Sequence, residues 1–302
     1  MPKLTPFMMS AALAGTLAAA LAAPAGAAAL TAREVAEKFD DQFRHPSLSV
    51  RFKLSTCRYK LEQTQMRCSE KPRETVVENV LKAKGRDVRT VAILREPISD
   101  KGIGMLGWQY WDKEKVNDYW LYLPALGKVK RVVSVKDSKD SGSYFGSEFF
   151  IEDLESRRLD EYVFRLTGEE NVKILQGKEY VDHPTYVLEW TPTNDKLGYT
   201  SYSRMVTWID KNSFVLVKGE YYDHDNMLYK RRTVKNLENI DGRWMPREVT
   251  MDNLSDRRVT LMRRDAVAIG LDVADEYFVQ RTLTDEVFRE KYMSGFRAQW
   301  KQ

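Results

Sequence analysis

Leu48–Ser55 reads LSVRFKLS, in which Leu48, Val50, Phe52 and Leu54 alternate with Ser49, Arg51, Lys53 and Ser55. A period of two puts the apolar set on one face of an extended chain, so the stretch is a half-buried β-strand. Just upstream the period is four: in LTAREVAEKFDDQFR (30–44), Val35, Phe39 and Phe43 share one helical face. Thr31 with Glu34 makes a capping box, Leu30 with Val35 a hydrophobic staple, and Pro46 ends the helix.

Downstream, strand-like runs continue to about residue 270: VRTVAILR, MLGWQYW, DYWLYL, KVKRVVSV, TYVLEWTP, MVTWID, SFVLVKGEYYD, LYKRRTVKNLE, WMPREVTM and RVTLMRRDAVAI. Turn formers such as Asp210-Lys-Asn, Asp223-His-Asp-Asn and Asp241-Gly242 separate most of them. No helical segment intervenes between successive runs. The class is therefore mainly β (α+β), with an antiparallel sheet in place of βαβ units. The polar positions carry Arg51, Lys53, Lys230 and Arg232. Such residues do not face lipid, so an outer-membrane barrel is excluded and these side chains are expected in water. The tail TDEVFREKYMSGFRAQW reads as a helix with Thr284 as its cap and Asp285 and Glu286 in its first turn.

Residues 1–29 combine Lys3, an apolar run from Phe7 to Ala23, a Pro24-Ala-Gly break and Ala-x-Ala spacing. That is the pattern of a cleaved secretory signal, with cleavage after Ala27 or Ala29 and residues 30–302 as one mature domain. No later window is apolar for long enough to span a membrane as a helix. The chain carries 48 Lys and Arg against 44 Asp and Glu, a net charge of +4 that falls by one with Lys3. So small an excess argues against nucleic acid as partner. Cys57 and Cys68 would reach an oxidising compartment, and a local disulfide is the simplest pairing; the interval is too long for a close Cys-x-x-Cys site and no His lies nearby.

Motifs of catalysis are weak throughout. Gly102-Ile-Gly-Met-Leu-Gly107 spells a dinucleotide fingerprint, but WQYWD follows where a helix must begin, so the glycines read as a turn and a strand entry. Asp223-His-Asp-Asn226 and the Asp182-His183 pair lack the two-His spacing of a zinc site, and the first reads as a hairpin tip. Glu152 and Asp153 are adjacent and on a strand would point to opposite faces; Ser147 lies outside any Gly-x-Ser-x-Gly elbow. No cofactor or metal is expected, and an enzyme is not.

What the chain has in abundance is aromatic side chains between residues 108 and 150. They suit either a packed core or the wall of an apolar cavity. Trp120–Val132, WLYLPALGKVKRV, is apolar on both strand faces up to Pro124 and then basic. Such a strand is expected to be buried on both sides.

The order of the blocks Tyr122-Leu-Pro-Ala-Leu126, Gly146-Ser-Glu-Phe149 with Glu152-Asp-Leu154, MVTWIDKNSFVLVKGEYYDHDNMLYKRRTV and GRWMPREVTMDN resembles the outer-membrane lipoprotein-sorting proteins, longer relatives of the periplasmic carrier LolA. The likeness runs from about Gly102 to Leu283. It implies a half-open, strongly curved antiparallel sheet, an incomplete LolA/LolB-like barrel, with helices over its mouth and an apolar cavity for acyl chains. It also implies a periplasmic carrier of a lipid or an acylated protein, working with an RND-type inner-membrane exporter. Trp108, Tyr110, Trp120, Tyr122, Phe145 and Phe149 are the candidate cavity lining, and Lys128, Lys130 and Arg131 a candidate basic rim for anionic head groups or a partner. Two rivals are an accessory subunit of an export system with a filled core, and a secreted hydrolase built on Asp223, His224 and Asp225 or on Glu152 and Asp153.

Overall fold

The structure, a computed structural model, describes residues 29–63, 65–132 and 142–302. The expected leader lies outside them except for Ala29. Thr31–Gln302 form one compact unit.

The opening helix is α1 (Ala32–Phe43), and its capping box is present: the Thr31 hydroxyl accepts from the Glu34 amide, while the Glu34 carboxylate accepts from the Thr31 amide at 2.7 Å. The chain turns extended at Arg44, two residues before Pro46. Seven strands then follow: β1 (Ser47–Glu62), β2 (Gln65–Cys68), β3 (Arg73–Lys84), β4 (Asp87–Glu96), β5 (Gly104–Gln109), β6 (Asp118–Leu123) and β7 (Lys128–Val132). After a segment of short turns come β8 (Tyr162–Gln176), β9 (Glu179–Pro192), the one-turn α2 (Asn194–Leu197), β10 (Arg204–Asp210) and β11 (Leu216–Tyr222). The chain closes with β12 (Leu228–Ile240), β13 (Arg243–Asn253), β14 (Arg258–Ile269), α3 (Gln280–Thr284) and α4 (Glu286–Arg297). Residues Val133–Val135 of the expected KVKRVVSV strand lie outside the described residues.

The strands form one antiparallel sheet in the order β7-β6-β5-β4-β3-β1-β14-β13-β12-β11-β10-β9-β8, with β2 attached to β1. The first half of the chain counts outward to the edge at β7. The second half enters at the opposite edge, β8, and counts back until β14 pairs with β1 from Leu48↔Ile269 to Arg58↔Arg258. β7 and β8 do not pair, so the sheet is long and curved but not closed, as expected.

The central stretches of β1 and β3 to β5 are buried on both faces, and β6 is partly buried on both. On the convex side Val80, Val91, Leu106 and Trp120 stand in register across four strands. They pack under Tyr277, Phe278, Leu283, Met293 and Phe296 from α3, α4 and the turn before them. An ion-pair network locks this layer: Arg297 of α4 forks the Glu78 carboxylate at 3.0 and 2.6 Å, and Arg95 bridges Glu78 and Glu290 at 3.5 and 3.0 Å. The two C-terminal helices therefore cover the outside of the sheet, and α1 is the helix placed across the mouth.

Cys57 and Cys68 are bonded, tying β1 to β2 next to the Tyr59↔Cys68 pair. A short closed loop of this kind restricts the unfolded chain, and its loss costs about 2–4 kcal/mol. We expect the Cys57→Ala/Cys68→Ala double variant to unfold at lower urea by that margin, in equilibrium denaturation, with an unchanged far-ultraviolet spectrum.

Candidate functional site

The concave face of the sheet holds a cavity of about 190 Å³. Its floor follows from the alternation of LSVRFKLS: Leu48, Val50 and Phe52 all line it, continued by Leu81, Val88 and Met105 on the next strands. α1 forms the roof through Phe39, Gln42 and Phe43. The C-terminal half of the helix is tied to two strands. Phe39 meets the Trp190 ring of β9 edge-on at 5.8 Å, and the Gln42 amide donates to the Trp244 carbonyl of β13 at 2.8 Å.

Tyr119 contributes a further wall, and two glycines of the Gly102–Gly107 run explain its fit. A Cβ on Gly107 would sit 2.7 Å from the Tyr119 ring, and one on Gly104 2.7 Å from Ile93 Cδ1. The fingerprint spacing is therefore a packing requirement of a central strand. Tyr119 hydrogen-bonds the Glu155 carboxylate, and burial, then that carboxylate, pushes its phenol well above the usual range.

The segment from Gly142 to Glu161 plugs one end of the cavity with Tyr144, Phe149, Ile151 and Leu154. The Gly146-Ser-Glu block pins it. Glu148 accepts from Asn253 at 2.9 Å and from Arg258 at 2.6 Å, and its carbonyl accepts from Lys230 at 2.8 Å. Glu152 and Asp153 lie on a 3-10 turn, and both are buried, so the strand geometry expected for them is corrected. Glu152 accepts from the Thr200 hydroxyl at 2.7 Å and the Ser201 amide at 2.9 Å. Asp153 accepts from the Phe150 amide at 2.8 Å and the Tyr202 hydroxyl at 2.9 Å, and burial raises its pKa. Both carboxylates are struts of the plug.

Asp223 accepts from the Asp225 and Met227 amides at 3.0 and 2.9 Å, and His224 meets the Thr200 carbonyl at 2.9 Å, which is the chemistry of a hairpin tip. Among the described residues no group of three His, Cys, Asp or Glu side chains is placed to hold a metal, and no helix is long and apolar enough to cross a membrane.

Of the six aromatic candidates, Phe149 lines the cavity. Trp108, Trp120 and Tyr122 face the other way, packed against the α3/α4 layer; the Trp108 indole donates to the Phe278 carbonyl at 3.1 Å. Tyr110 lines a separate polar pocket of about 60 Å³ with Glu155, Arg157 and Lys196. Phe145 packs its ring at a tilt against Tyr144, with centroids 4.6 Å apart, and is outside the lining. Alternation puts Trp120 and Tyr122 on the face opposite Tyr119, and because both faces of β6 are apolar in sequence there was no mark of which face was concave. Lys128, Lys130 and Arg131 stand exposed on the edge strand β7, away from the cavity, with Arg131 paired to Asp118.

Sequence reasoning missed the polar residues of the cavity, Gln42, His45, Arg232 and Arg264 among them. The expectation that Lys230 and Arg232 face water is corrected: Lys230 is fully buried, and Arg232, in phase with buried Val234, points into the concave side. The signal was there, as a basic residue in the apolar phase of a strand. Arg264 repeats it, in phase with buried Met262. Burial, then the neighbouring Arg232 and Arg247 cations, hold the Arg264 guanidinium down to about 10, still charged at neutral pH.

Burial, then Arg243 and Arg264, hold the His45 imidazole down to about 4, against an ordinary value of 6.5. As pH falls the unfolded chain takes up this proton first. The stability tied to neutral His45 is complete above the ordinary value and is lost progressively down to the folded one, about 3 kcal/mol in all. In urea titrations at about pH 7 and about pH 4, His45→Gln is expected to lose less stability on acidification than the parent, by up to that amount.

An unclosed, curved antiparallel sheet with a helix roofing an apolar concave cavity is a LolA-like fold. A family model described as "Uncharacterized protein" matches residues 86–285, and the chain belongs to that family. Among solved structures, a DUF1329 family protein from Desulfovibrio piger is 25% identical, with 83% of this chain and 97% of that one covered and a TM-score of 0.70. An outer-membrane lipoprotein-sorting protein domain from Vibrio parahaemolyticus, described as putative, is 23% identical, covering 84% and 98%, at a TM-score of 0.69. A LolA superfamily protein from Nitrosomonas europaea is 19% identical, covering 83% and 99%, at a TM-score of 0.61. No curated protein matches the chain.

Proposed function

We propose that this protein is a periplasmic carrier that shields the acyl chain of a lipid or lipoprotein in the concave cavity and shuttles it between membranes, receiving or delivering it at an RND-type exporter. The observation that carries the reading is the cavity itself, with two thirds of its lining apolar and a helix laid over it. Burial of a chain there gains about 0.8 kcal/mol per methylene without any covalent step. At about 190 Å³ the closed cavity is smaller than the roughly 300–1,000 Å³ of a typical ligand cleft, so a full chain enters when the roof moves. α1 is the element suited to that motion, since the polar contacts of its last turn with the sheet are made by single side chains, among them the Gln42 amide on the Trp244 carbonyl and Arg243 on the Asp41 carbonyl at 2.7 Å.

The test is native mass spectrometry and lipid extraction on protein recovered from periplasm. An acylated species bound in one-to-one ratio is expected. Protein that comes out empty, and that takes up neither dodecanol nor extracted lipid afterwards, sinks the carrier reading in favour of an accessory subunit.

A further inference from the structure

The cavity is apolar in its walls but carries uncompensated positive charge. Arg232 on β12 and Arg264 on β14 reach the concave side from either flank of β13. Their sequence neighbours on the wet face each have a carboxylate: Arg231 has Glu220 at 3.5 Å and Arg263 has Asp265 at 2.9 Å. Arg247, in phase with Met245 and Val249 and beside Arg264, is paired with Glu238. Among the described residues neither Arg232 nor Arg264 forms such an ion pair. Arg264 donates to the Pro246 carbonyl at 2.6 Å, and Arg232 Nε is buried without a partner. His45 Nδ1 and Arg44 Nε, on the same cavity, are likewise buried and unpartnered, although Arg44 pairs with Asp40 at 2.7 Å through its other nitrogen. The acidic member of the lining, Asp153, is committed to Phe150 and Tyr202.

A guanidinium withdrawn from water without a counter-charge is strongly unfavourable, and two in one cavity repel each other. Buried guanidinium groups with no carboxylate beside them form a site suited to an anion. Guanidinium suits a carboxylate or a phosphate, because its planar fork gives two parallel charge-assisted bonds.

We propose that Arg232 and Arg264 form an anion subsite inside the cavity, which takes the carboxylate or phosphate head group of an acyl amphiphile while its chain lies along Phe39, Phe52 and Phe149. The inference rests on the carrier reading and narrows its cargo. An acyl chain in amide or ester linkage to a protein presents no charge at its head, so the subsite selects a free anionic lipid over an acylated protein. His45, neutral beside the subsite, donates or accepts at the same head group.

The experiment compares dodecanoate, dodecyl phosphate, 1-dodecanol and inorganic phosphate by displacement of the neutral dye N-phenyl-1-naphthylamine and by calorimetry, on the mature chain. The parent is expected to bind the two charged amphiphiles at least about tenfold tighter than the alcohol. Arg232→Met/Arg264→Met removes that preference and leaves dodecanol binding intact. Its melting temperature stays level or rises, because an unpaired buried charge has gone; a merely structural pair of arginines would show the opposite. If the double variant does not fold, Arg232→Met alone reduces the preference.

Equal affinity of the parent for dodecanoate and dodecanol overturns the subsite and spares the carrier reading. Binding of no amphiphile at all overturns the carrier reading itself. Inorganic phosphate bound as tightly as dodecyl phosphate would make this a free-anion site and overturn the lipid assignment.

Discussion

Leu81→Trp is expected to weaken dodecanol binding by at least about tenfold while the chain stays folded. Leu81 sits in a central strand, between Leu48 of β1 and Thr90 of β4, yet its side chain is only partly buried because it opens on the cavity. An indole there occupies the space that cargo would use. Overpacking a filled core costs about 1–3 kcal/mol, and a preformed void lessens that penalty. The control is Val80→Ile, one residue away on the convex face under α4, where binding is expected to be unchanged. Dye displacement separates the two variants. Unimpaired binding by Leu81→Trp would mean that the acyl chain does not enter this cavity.

That contrast between neighbours also shows where the sequence was readable. The capping box of α1, the alternation of β1 and the antiparallel class were legible because each is a local pattern with a single physical solution. β8 was not read as a strand: YVFRLTGEENVKILQ has charged residues on both phases, and as an edge strand it leaves most of its side chains in water. The strand of Trp120 and Tyr122 was expected to be buried on both faces; these two side chains are only partly buried, and their side of the sheet was decided by α3 and α4, more than 150 residues further along the chain. Periodicity reports which residues share a face and carries no label for the face. Lys230 and Arg232 were misread, and Arg264 was passed over, for a related reason. A basic residue in a strand usually faces water, and the exception becomes visible when its phase is compared with that of Val234 or Met262.

Trp190→Ala should be the most destabilising single change in the concave half of the molecule. The indole is 1% exposed and touches three rings, Phe39 at 5.8 Å, Tyr162 at 5.7 Å and Phe164 at 4.8 Å. Its Nε1 donates to the Thr207 hydroxyl at 2.8 Å, and that hydroxyl in turn donates to the Leu188 carbonyl at 3.2 Å. Truncation of a buried Trp costs about 3–5 kcal/mol, and in a domain of this size it lowers the melting temperature by on the order of 10 °C. Trp190→Phe keeps the ring contacts and loses the hydrogen bond, so it should recover most of the deficit, all but about 1 kcal/mol.

The functional consequence follows from Phe39. With Trp190 truncated, α1 loses its edge-on contact with β9 and keeps the polar contacts of Gln42 and Arg243 in the same turn and of Arg33 with the Leu159 carbonyl at its start. Hydrogen exchange across residues 32–43 is expected to quicken in Trp190→Ala beyond the change in global stability. Association of dodecanol should quicken with it, since the roof opens more often. A variant that melts early but shows unaltered exchange in α1 relative to the sheet would separate the stability of this core from the gating of the cavity.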